Sequence, residues 1–408
     1  MMTEDQTVAT PTAMPPGRVR TFAIGTIAFL TLVDLFATQA ILPALARSYG
    51  VSAAEIGVAS NSSTIGMALG GVLAGLLTQR FARRTAITAC LLLLAIPTLL
   101  LSFAPPLPLY ALLRVTQGLF MAGAFTLTLA HFSERCSARD VGTALAAYVT
   151  GVVASNLFGR LVATMAASYL GAVNSFALFA ALNIAGAAFA WTVLTYAAPL
   201  AVERRAIDLV RPWGNHLRHP RRLAAFAIGF LILFGFVGIF SYVGFVLTAA
   251  PFGLSMMATG LVFLCFAPAM LTTPAAARIV ARHGTARTLP AAMLLAVAGV
   301  LMSAASSLPL VIVGLALVGV GTFFAQAAAT AWVSRNADGE PAAASALYLF
   351  FYYAGGLAGA TIIGMLFVAS GWLGAVLLVG AIFIAAALLG RCLREPLPTA
   401  PENHGSSS

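Results

Sequence analysis

The sequence contains no lysine and few acidic residues. Its 22 basic residues are all arginine, its acids number 12, and only 8% of the residues are charged, whereas 61% are hydrophobic. A water-soluble domain cannot bury that proportion of apolar side chains. The composition therefore excludes a soluble globular protein and predicts a chain that crosses a membrane several times.

Residue patterns of several enzyme and pump classes are missing as well. There is no phosphate-binding Gly-Lys-Thr loop, so ATP-driven transport would need another subunit. The five histidines show no metal-ligand spacing. The four cysteines fall within apolar runs or at the predicted cytoplasmic face, where disulfides are not expected. We therefore expect neither an enzyme nor a bound metal or cofactor.

Twelve long apolar runs divide the chain into predicted membrane-spanning helices. About 20 apolar residues are needed to cross a bilayer as a helix. The predicted spans are 21–46, 54–79, 85–104, 107–131, 142–168, 172–197, 223–250, 256–281, 286–305, 308–333, 342–370 and 372–392. They predict six-helix bundles within 18–197 and 223–395, a cytoplasmic linker at 198–222, and disordered tails at 1–17 and 396–408.

The arginines predict the orientation of these spans. Nineteen of the 22 fall in alternate connections or at their edges, and the exceptions are Arg47, Arg114 and Arg160. Because basic residues stay on the cytoplasmic side, both termini are predicted to be cytoplasmic, in a bacterial inner membrane. The net charge of +10 is thereby explained by topology, so we expect the lipid bilayer rather than nucleic acid as the partner.

The second half of the chain repeats the first. FAIG at 22–25 recurs at 226–229, LPL at 107–109 recurs at 308–310, and YLGAV at 169–173 recurs as WLGAV at 372–376. Six spans repeated in parallel are typical of transporters whose substrate site lies near the midplane, between the two halves. The expected fold is therefore an all-α membrane protein with two six-helix bundles related by a pseudo-two-fold axis.

Asp34 is the one acid predicted in the interior of a span. A charge at that depth costs about 2.5 to 3.5 kcal/mol on insertion scales, so it is expected to face a polar interior. Thr31 and Thr38, three and four residues away, lie on the same face of the helix. We interpret this stripe as the wall of a water-accessible cavity and Asp34 as the carrier of a coupled proton. A buried ion pair that only holds helices together is the alternative.

Two motifs resemble those of the major facilitator superfamily. GLLTQRFARR at 75–84 is similar to its signature loop, although Gln79 and Ala82 replace an Asp and a Gly, and a weaker copy at 277–287 keeps Arg282. RVTQG at 114–118 is similar to the motif Arg-x-x-Gln-Gly. The resemblance implies a monomeric secondary transporter driven by a proton gradient, with Arg114 beside the titrating acid.

The same resemblance implies a cytoplasmic gate of charged side chains, for which the candidates are Arg80, Arg83, Arg84, Glu134 and Arg282. For Arg80, a role as a topology signal alone is the alternative.

Two shorter stretches resemble the acriflavine-sensitivity branch of drug:proton antiporters. They are FATQAILP at 36–43 and the pair Gly159-Arg160. This resemblance implies export of a drug-like compound by proton antiport, which is the preferred interpretation. The alternative is uptake of a carboxylate or vitamin, and two features favour it. Span five lacks the Pro of the antiporter motif, and the spans of the first half carry two Arg but one Asp, an excess of positive charge. A transporter-like receptor without transport is the third.

Polar and aromatic side chains within the spans form a candidate substrate cavity. Aromatic walls with a few hydrogen-bonding groups suit a planar or amphipathic organic solute. The predicted cavity residues are Thr31, Thr38, Asn61, Gln117, Asn156, Arg160, Tyr242, Gln326 and Tyr352.

Overall fold

The computed structural model describes residues 17–135, 141–194, 213–337 and 341–394, and all regular secondary structure in these ranges is helical. In the first half the helices are α1 (Gly17–Ala40), α2 (Leu42–Tyr49), α3 (Ala53–Asn61), α4 (Ser63–Arg80), α5 (Arg83–Leu101), α6 (Leu107–Arg135), α7 (Val141–Leu170) and α8 (Ser175–Val193). A short helix, α9 (Trp213–Arg218), lies in the part of the predicted linker that is described.

The second half begins with α10 (Pro220–Thr248) and α11 (Met256–Val262). It continues with α12 (Ala267–Thr272), α13 (Ala276–His283), α14 (Thr285–Met302), α15 (Leu308–Arg335) and α16 (Pro341–Gly390). The last of these is interrupted at Gly371, whose φ of 72° is outside the helical range and is readily adopted by glycine. Predicted spans 342–370 and 372–392 meet at this residue.

Three predicted spans are broken helices rather than continuous ones. The first is divided between α1 and α2 at Ile41, and the second between α3 and α4 at Ser62. The eighth is interrupted by 3-10 turns at Phe263–Phe266 and Thr273–Ala275. Proline explains two of these irregular spans, because it lacks the N–H of a helix interior and is tolerated in a first turn. Pro43 stands in the first turn of α2, and Pro268 in that of α12.

Eight helices of the described residues are long and apolar enough to cross a membrane. Large apolar side chains such as Ile96, Leu112 and Met365 are exposed on the outside of the bundle, as expected of a surface in contact with lipid. The number of twelve spans and the orientation of the termini stay predictions.

Within each half, the closest helix contacts are made by backbone atoms. A Cβ built at Gly151 on α7 would lie 2.2 Å from the carbonyl oxygen of Gly25 on α1. The corresponding contact in the second half is between α16 and α10, where a Cβ at Gly355 would lie 2.1 Å from the carbonyl oxygen of Phe230. Small residues at such crossings allow helix backbones to approach in a membrane. The repeated sequence thus forms the same helix pair twice.

Between the halves, by contrast, the close contacts are made by side chains. The first half meets the second where α10 and α16 pack against α2, α3 and α4, and where α11 packs against α7. The Tyr242 side chain fills the space beside Gly57, and that of Thr164 fills the space beside Gly260. Interactions across this interface therefore depend on side-chain chemistry.

We expect Gly66→Ala to destabilise the protein by about 1 to 3 kcal/mol, the usual cost of overpacking. Its Cβ would lie 2.0 Å from the carbonyl oxygen of Val115, so α4 and α6 would have to move apart. Gly71→Ala, on the same helix, is the matched control because nothing lies within 4 Å of its Cβ position. Thermal unfolding in detergent measures both variants. Equal melting temperatures would contradict the close packing of α4 on α6.

Candidate functional site

Asp34 lies in the second half of helix α1, six residues before its end, and is buried. Its Oδ2 accepts a hydrogen bond from Nδ2 of Asn183 on α8 at 2.7 Å, and the Thr98 hydroxyl on α5 lies 3.3 Å away. Its Oδ1 is buried and has no hydrogen-bond partner. An unpaired oxygen at such depth leaves the carboxylate incompletely stabilised, and protonation would remove the buried negative charge.

Arg114 on α6 is fully buried, and oxygen atoms surround its guanidinium. Its hydrogen-bond acceptors, at 2.7 to 3.5 Å, are the carbonyl oxygens of Ser60, Asp34 and Leu35 and the side chains of Gln117, Thr38 and Ser63. The contact to Asp34, at 3.5 Å, is to its backbone and not to its carboxylate. The expected pairing of Arg114 with the acid is therefore indirect.

A chain of hydrogen bonds joins Arg114 to the Asp34 carboxylate. Oε1 of Gln117 accepts from Arg114 at 2.7 Å, and Nε2 of Gln117 donates to the Thr98 hydroxyl at 2.6 Å. Thr98 in turn adjoins Asp34, so the chain connects α6, α5, α1 and α8 within the first half. We name Arg114, Gln117, Thr98, Asp34 and Asn183 the acid network. Such networks are strong only when their members are satisfied, and two oxygens of this one, Asp34 Oδ1 and Asn183 Oδ1, have no hydrogen-bond partner.

Arg160 on α7 is the second fully buried guanidinium among the described residues. Nη1 donates to the carbonyl and side-chain oxygens of Asn156 at 3.0 and 2.9 Å, and Nη2 donates to Oε1 of Gln39 at 2.5 Å. Nε has no hydrogen-bond partner. No carboxylate whose side chain is described pairs with this cation.

Phenyl rings enclose Arg160 in place of a counter-ion. The guanidinium carbon lies 4.6 to 5.9 Å from five ring centroids, those of Phe36, Phe236, Phe240, Phe263 and Phe266. We name these five residues the phenyl cage. Phe36 comes from α1, whereas the other four belong to the second half. Arg160 therefore lies where the halves meet, and cation–π attraction offsets part of the cost of its burial.

A second polar chain runs from Arg160 across the interface. Gln39, which accepts from Arg160, donates through Nε2 to Oδ1 of Asn61 at 3.0 Å. Nδ2 of Asn61 then donates to the hydroxyl of Ser241 on α10 at 3.0 Å. The chain thus links the guanidinium to a direct hydrogen bond between the two halves.

The predicted cavity residues divide into separate groups. Asn61, Asn156 and Arg160 belong to the polar chain just described. Thr38 and Gln117 instead accept hydrogen bonds from Arg114. The Thr31 hydroxyl donates to the carbonyl of Ile27 in its own helix at 2.7 Å. Thr31, Asp34 and Thr38 are each less than 5% exposed, so in this conformation the stripe faces packed helices rather than an open cavity.

The remaining cavity candidates lie within the second half. The Tyr242 hydroxyl donates to the carbonyl oxygen of Ala360 at 2.5 Å. The Tyr352 hydroxyl donates to Oε1 of Gln326 at 2.6 Å. These aromatic side chains are buried and hydrogen-bonded, and the structure does not bring them to Arg160. Their place in a cavity stays a prediction.

The structure describes part of the predicted cytoplasmic gate. Arg83 is buried and Arg282 is exposed. The Arg84 guanidinium lies 4.0 Å from the ring centroid of Trp191, a residue of α8 in the same half. The side chains of Arg80 and Glu134 lie outside the described part of the chain. The gate therefore stays a prediction.

Sequence reasoning missed Thr98, Asn183 and Gln39 as members of these networks. The sequence does carry a signal for Asn183, because an amide within an apolar span needs a partner, and the same reasoning selects Asn61 and Asn156. Gln39 lies in the stretch FATQAILP, where its role as acceptor for Arg160 has no local signature. Thr98 is one of many hydroxyl residues in spans, and only the packing of α5 against α1 distinguishes it.

We expect Thr98→Val to cost about 1 to 3 kcal/mol of stability, because Nε2 of Gln117 would be left buried without an acceptor. Thr116→Val is the matched control, since its hydroxyl donates to the carbonyl of Leu112 within its own helix. The melting temperatures of the purified variants measure the difference. A Thr98→Val protein as stable as the control would show that Thr98 is not a required link.

Comparison with known proteins places the chain among membrane transporters. A sequence profile described as Major Facilitator Superfamily matches residues 24–270 and 247–408. The uncharacterized MFS-type transporter YybF of Bacillus subtilis is 26% identical over 353 residues, which cover 85% of this chain and 86% of that protein. The inner membrane transport protein YnfM of Escherichia coli is 26% identical over 345 residues, 84% of this chain and 82% of YnfM.

Solved structures share the fold. The structure of the nucleoside transporter NupG superposes with a TM-score of 0.76 and covers 92% of this chain and 99% of that one. The sequence identity is 12%, so this likeness concerns the fold alone.

Proposed function

The chain belongs to the major facilitator superfamily, and on that premise we propose that it moves a small organic solute across the bacterial inner membrane by proton-coupled alternating access. It is a membrane transporter, and this superfamily consists of transporters rather than enzymes. In this proposal the proton gradient supplies the energy, no cofactor is needed, and the monomer is the working unit.

The acid network is the observation that carries the proposal. The acids whose side chains are described are Asp34, which is buried, and Glu55, which is exposed. Burial disfavours the charged carboxylate, and the nearby Arg114 charge favours it. A conformational change that alters either effect would load or release a proton at Oδ1. Asn183 and Thr98 both hydrogen-bond to Oδ2, whereas Oδ1 has no partner. Oδ1 is therefore free to take the proton, and the hydrogen bonds at Oδ2 stay intact.

Helix α1 supports a connection between proton and solute. It contributes Asp34 to the acid network, and two to five residues later it contributes Phe36 and Gln39 to the surroundings of Arg160. Thr38, between them, accepts from Arg114. A displacement of α1 on protonation would therefore move residues at the interface between the halves, where this fold class places its substrate site.

Export by proton antiport is the direction we propose, because FATQAILP and the Gly159-Arg160 pair resemble the drug-exporting branch. Uptake of an organic acid by symport is the second candidate. The observation that favours it is the Arg160 charge, which no described carboxylate neutralises and which suits an anionic solute more than a cationic drug.

The first test is accumulation of a fluorescent planar dye in cells that lack their own pumps. We expect the protein to lower dye accumulation, and an uncoupler to abolish the effect because the gradient drives export. Asp34→Asn should raise the dye to the level of cells without the protein, since an amide cannot carry the proton. Glu55→Gln is the matched control and should behave as the unmodified protein does.

Two outcomes would change the proposal. Uphill transport with an ordinary pH dependence by the Asp34→Asn protein would exclude Asp34 as the coupling group. No effect on any dye, together with gradient-dependent uptake of a labelled organic acid, would favour the second candidate and reverse the direction.

A further inference from the structure

We infer that Arg160 and the phenyl cage form the binding subsite for an aromatic monocarboxylate, with the guanidinium pairing its carboxylate and the cage holding its ring. The inference deepens the proposed function and depends on it, because it names the solute class for the interface between the halves. It rests on the charge, the hydrogen bonds and the aromatic surroundings of Arg160.

The unneutralised charge is the first argument. Removing an isolated cation from water is costly, and a buried charge is normally paired or functional. Arg160 has amide and carbonyl oxygens and ring faces around it, which offset only part of that cost. If Arg160 served packing alone, a neutral side chain would fill the same space without the desolvation cost. A bound anion explains why a cation stands here.

Unused hydrogen-bonding capacity is the second argument. A guanidinium carries five N–H donors. Arg160 uses two on Nη1 and one on Nη2, which leaves Nε–H and one N–H of Nη2. Arg114, by contrast, has acceptors at all three of its nitrogens. A carboxylate accepts two parallel N–H bonds from one guanidinium, and this is the group that the free donors of Arg160 fit.

The phenyl cage specifies the rest of the solute. Phe236, Phe240 and Phe266 lie with ring centroids 4.6 to 5.8 Å apart, the spacing of packed aromatic pairs. A planar ring can join such a cluster edge-on or offset. A sugar or another polyol would leave its hydroxyl groups unpaired against these faces, and that mismatch is strongly disfavoured. The body of the solute is therefore expected to be apolar and aromatic.

A single charge is expected on the solute because a single guanidinium is open. Arg114 is the other fully buried arginine of the described residues, and all three of its nitrogens already have acceptors. A dicarboxylate or a phosphate would bring a second negative charge without a partner. An amine would be repelled by Arg160. Benzoate, with one carboxylate and one ring, is the simplest probe of this class.

Equilibrium binding of radiolabelled benzoate to the purified full-length protein in detergent tests the inference. We expect saturable binding, with benzamide and benzylamine competing at least about tenfold more weakly, because they keep the ring but lack the anion that Arg160 pairs. Cyclohexanecarboxylate keeps the anion and should also compete more weakly than unlabelled benzoate, because it lacks the aromatic faces.

Variants assign the binding to the two parts of the subsite. Arg160→Gln should weaken benzoate binding about tenfold or more, and Arg160→Lys should restore part of it, since lysine keeps the charge without the paired donors. Phe240→Leu should weaken benzoate binding while preserving the preference for benzoate over benzylamine. Arg47→Gln, an exposed arginine outside the site, is the control that should leave the affinity unchanged.

The inference would be overturned if benzoate binding to the unmodified protein reached no plateau up to millimolar concentration. An Arg160→Gln protein that elutes as a single species and keeps its affinity would also overturn it, and would leave Arg160 as a cation–π contact between the halves. If Arg160→Gln does not fold, the benzoate affinities of Arg160→Lys and Phe240→Leu test the inference in its place. Binding is measured without a gradient, so its failure is distinguishable from a failure of proton coupling at Asp34.

Discussion

Charged side chains inside an apolar bundle must be compensated by the groups around them, and this constraint governs the interior of the protein. Asp34, Arg114 and Arg160 are all nearly or fully buried, and each collects polar or aromatic partners from several helices. In a medium without water every unpaired donor or acceptor carries a large free-energy cost. The positions of Gln117, Thr98, Asn183 and Gln39 therefore follow from the positions of three charges.

The two arginines solve this problem in different ways. Arg114 is held by carbonyl and hydroxyl oxygens of its own half, so its role is internal to that half and connects to Asp34 through Gln117 and Thr98. Arg160 lies at the interface and is enclosed by rings that come mainly from the other half. A buried cation whose nitrogens all have acceptors can hold helices in a fixed arrangement, whereas one with unpaired donors can bind a ligand. The division separates the proposed proton site from the proposed solute subsite.

The sequence predicts the helical membrane fold and the position of Asp34 inside a span, because apolar run length and a lone acid are local signals. The water-accessible cavity predicted beside Asp34 is not open in this conformation. Proline also marks where two of the predicted spans break, at Pro43 and Pro268. The phenyl cage could not be predicted, since Phe36 and Phe266 are distant in sequence and meet only when the halves pack together. The same holds for Asn183, whose amide reaches Asp34 across 149 residues of sequence.

The glycine crossings have a mechanical consequence. Where the carbonyl of Gly25 faces Gly151, or that of Phe230 faces Gly355, two helices interlock through their main chains, and sliding one past the other would force atoms into overlap. Each half is therefore stiff. The boundary between them is different, because side chains such as Tyr242 and Thr164 can swing away while the helices that carry them stay intact. The proposed alternating access would then be a rocking of the two halves as stiff units, with deformation confined to the interface where Arg160 lies.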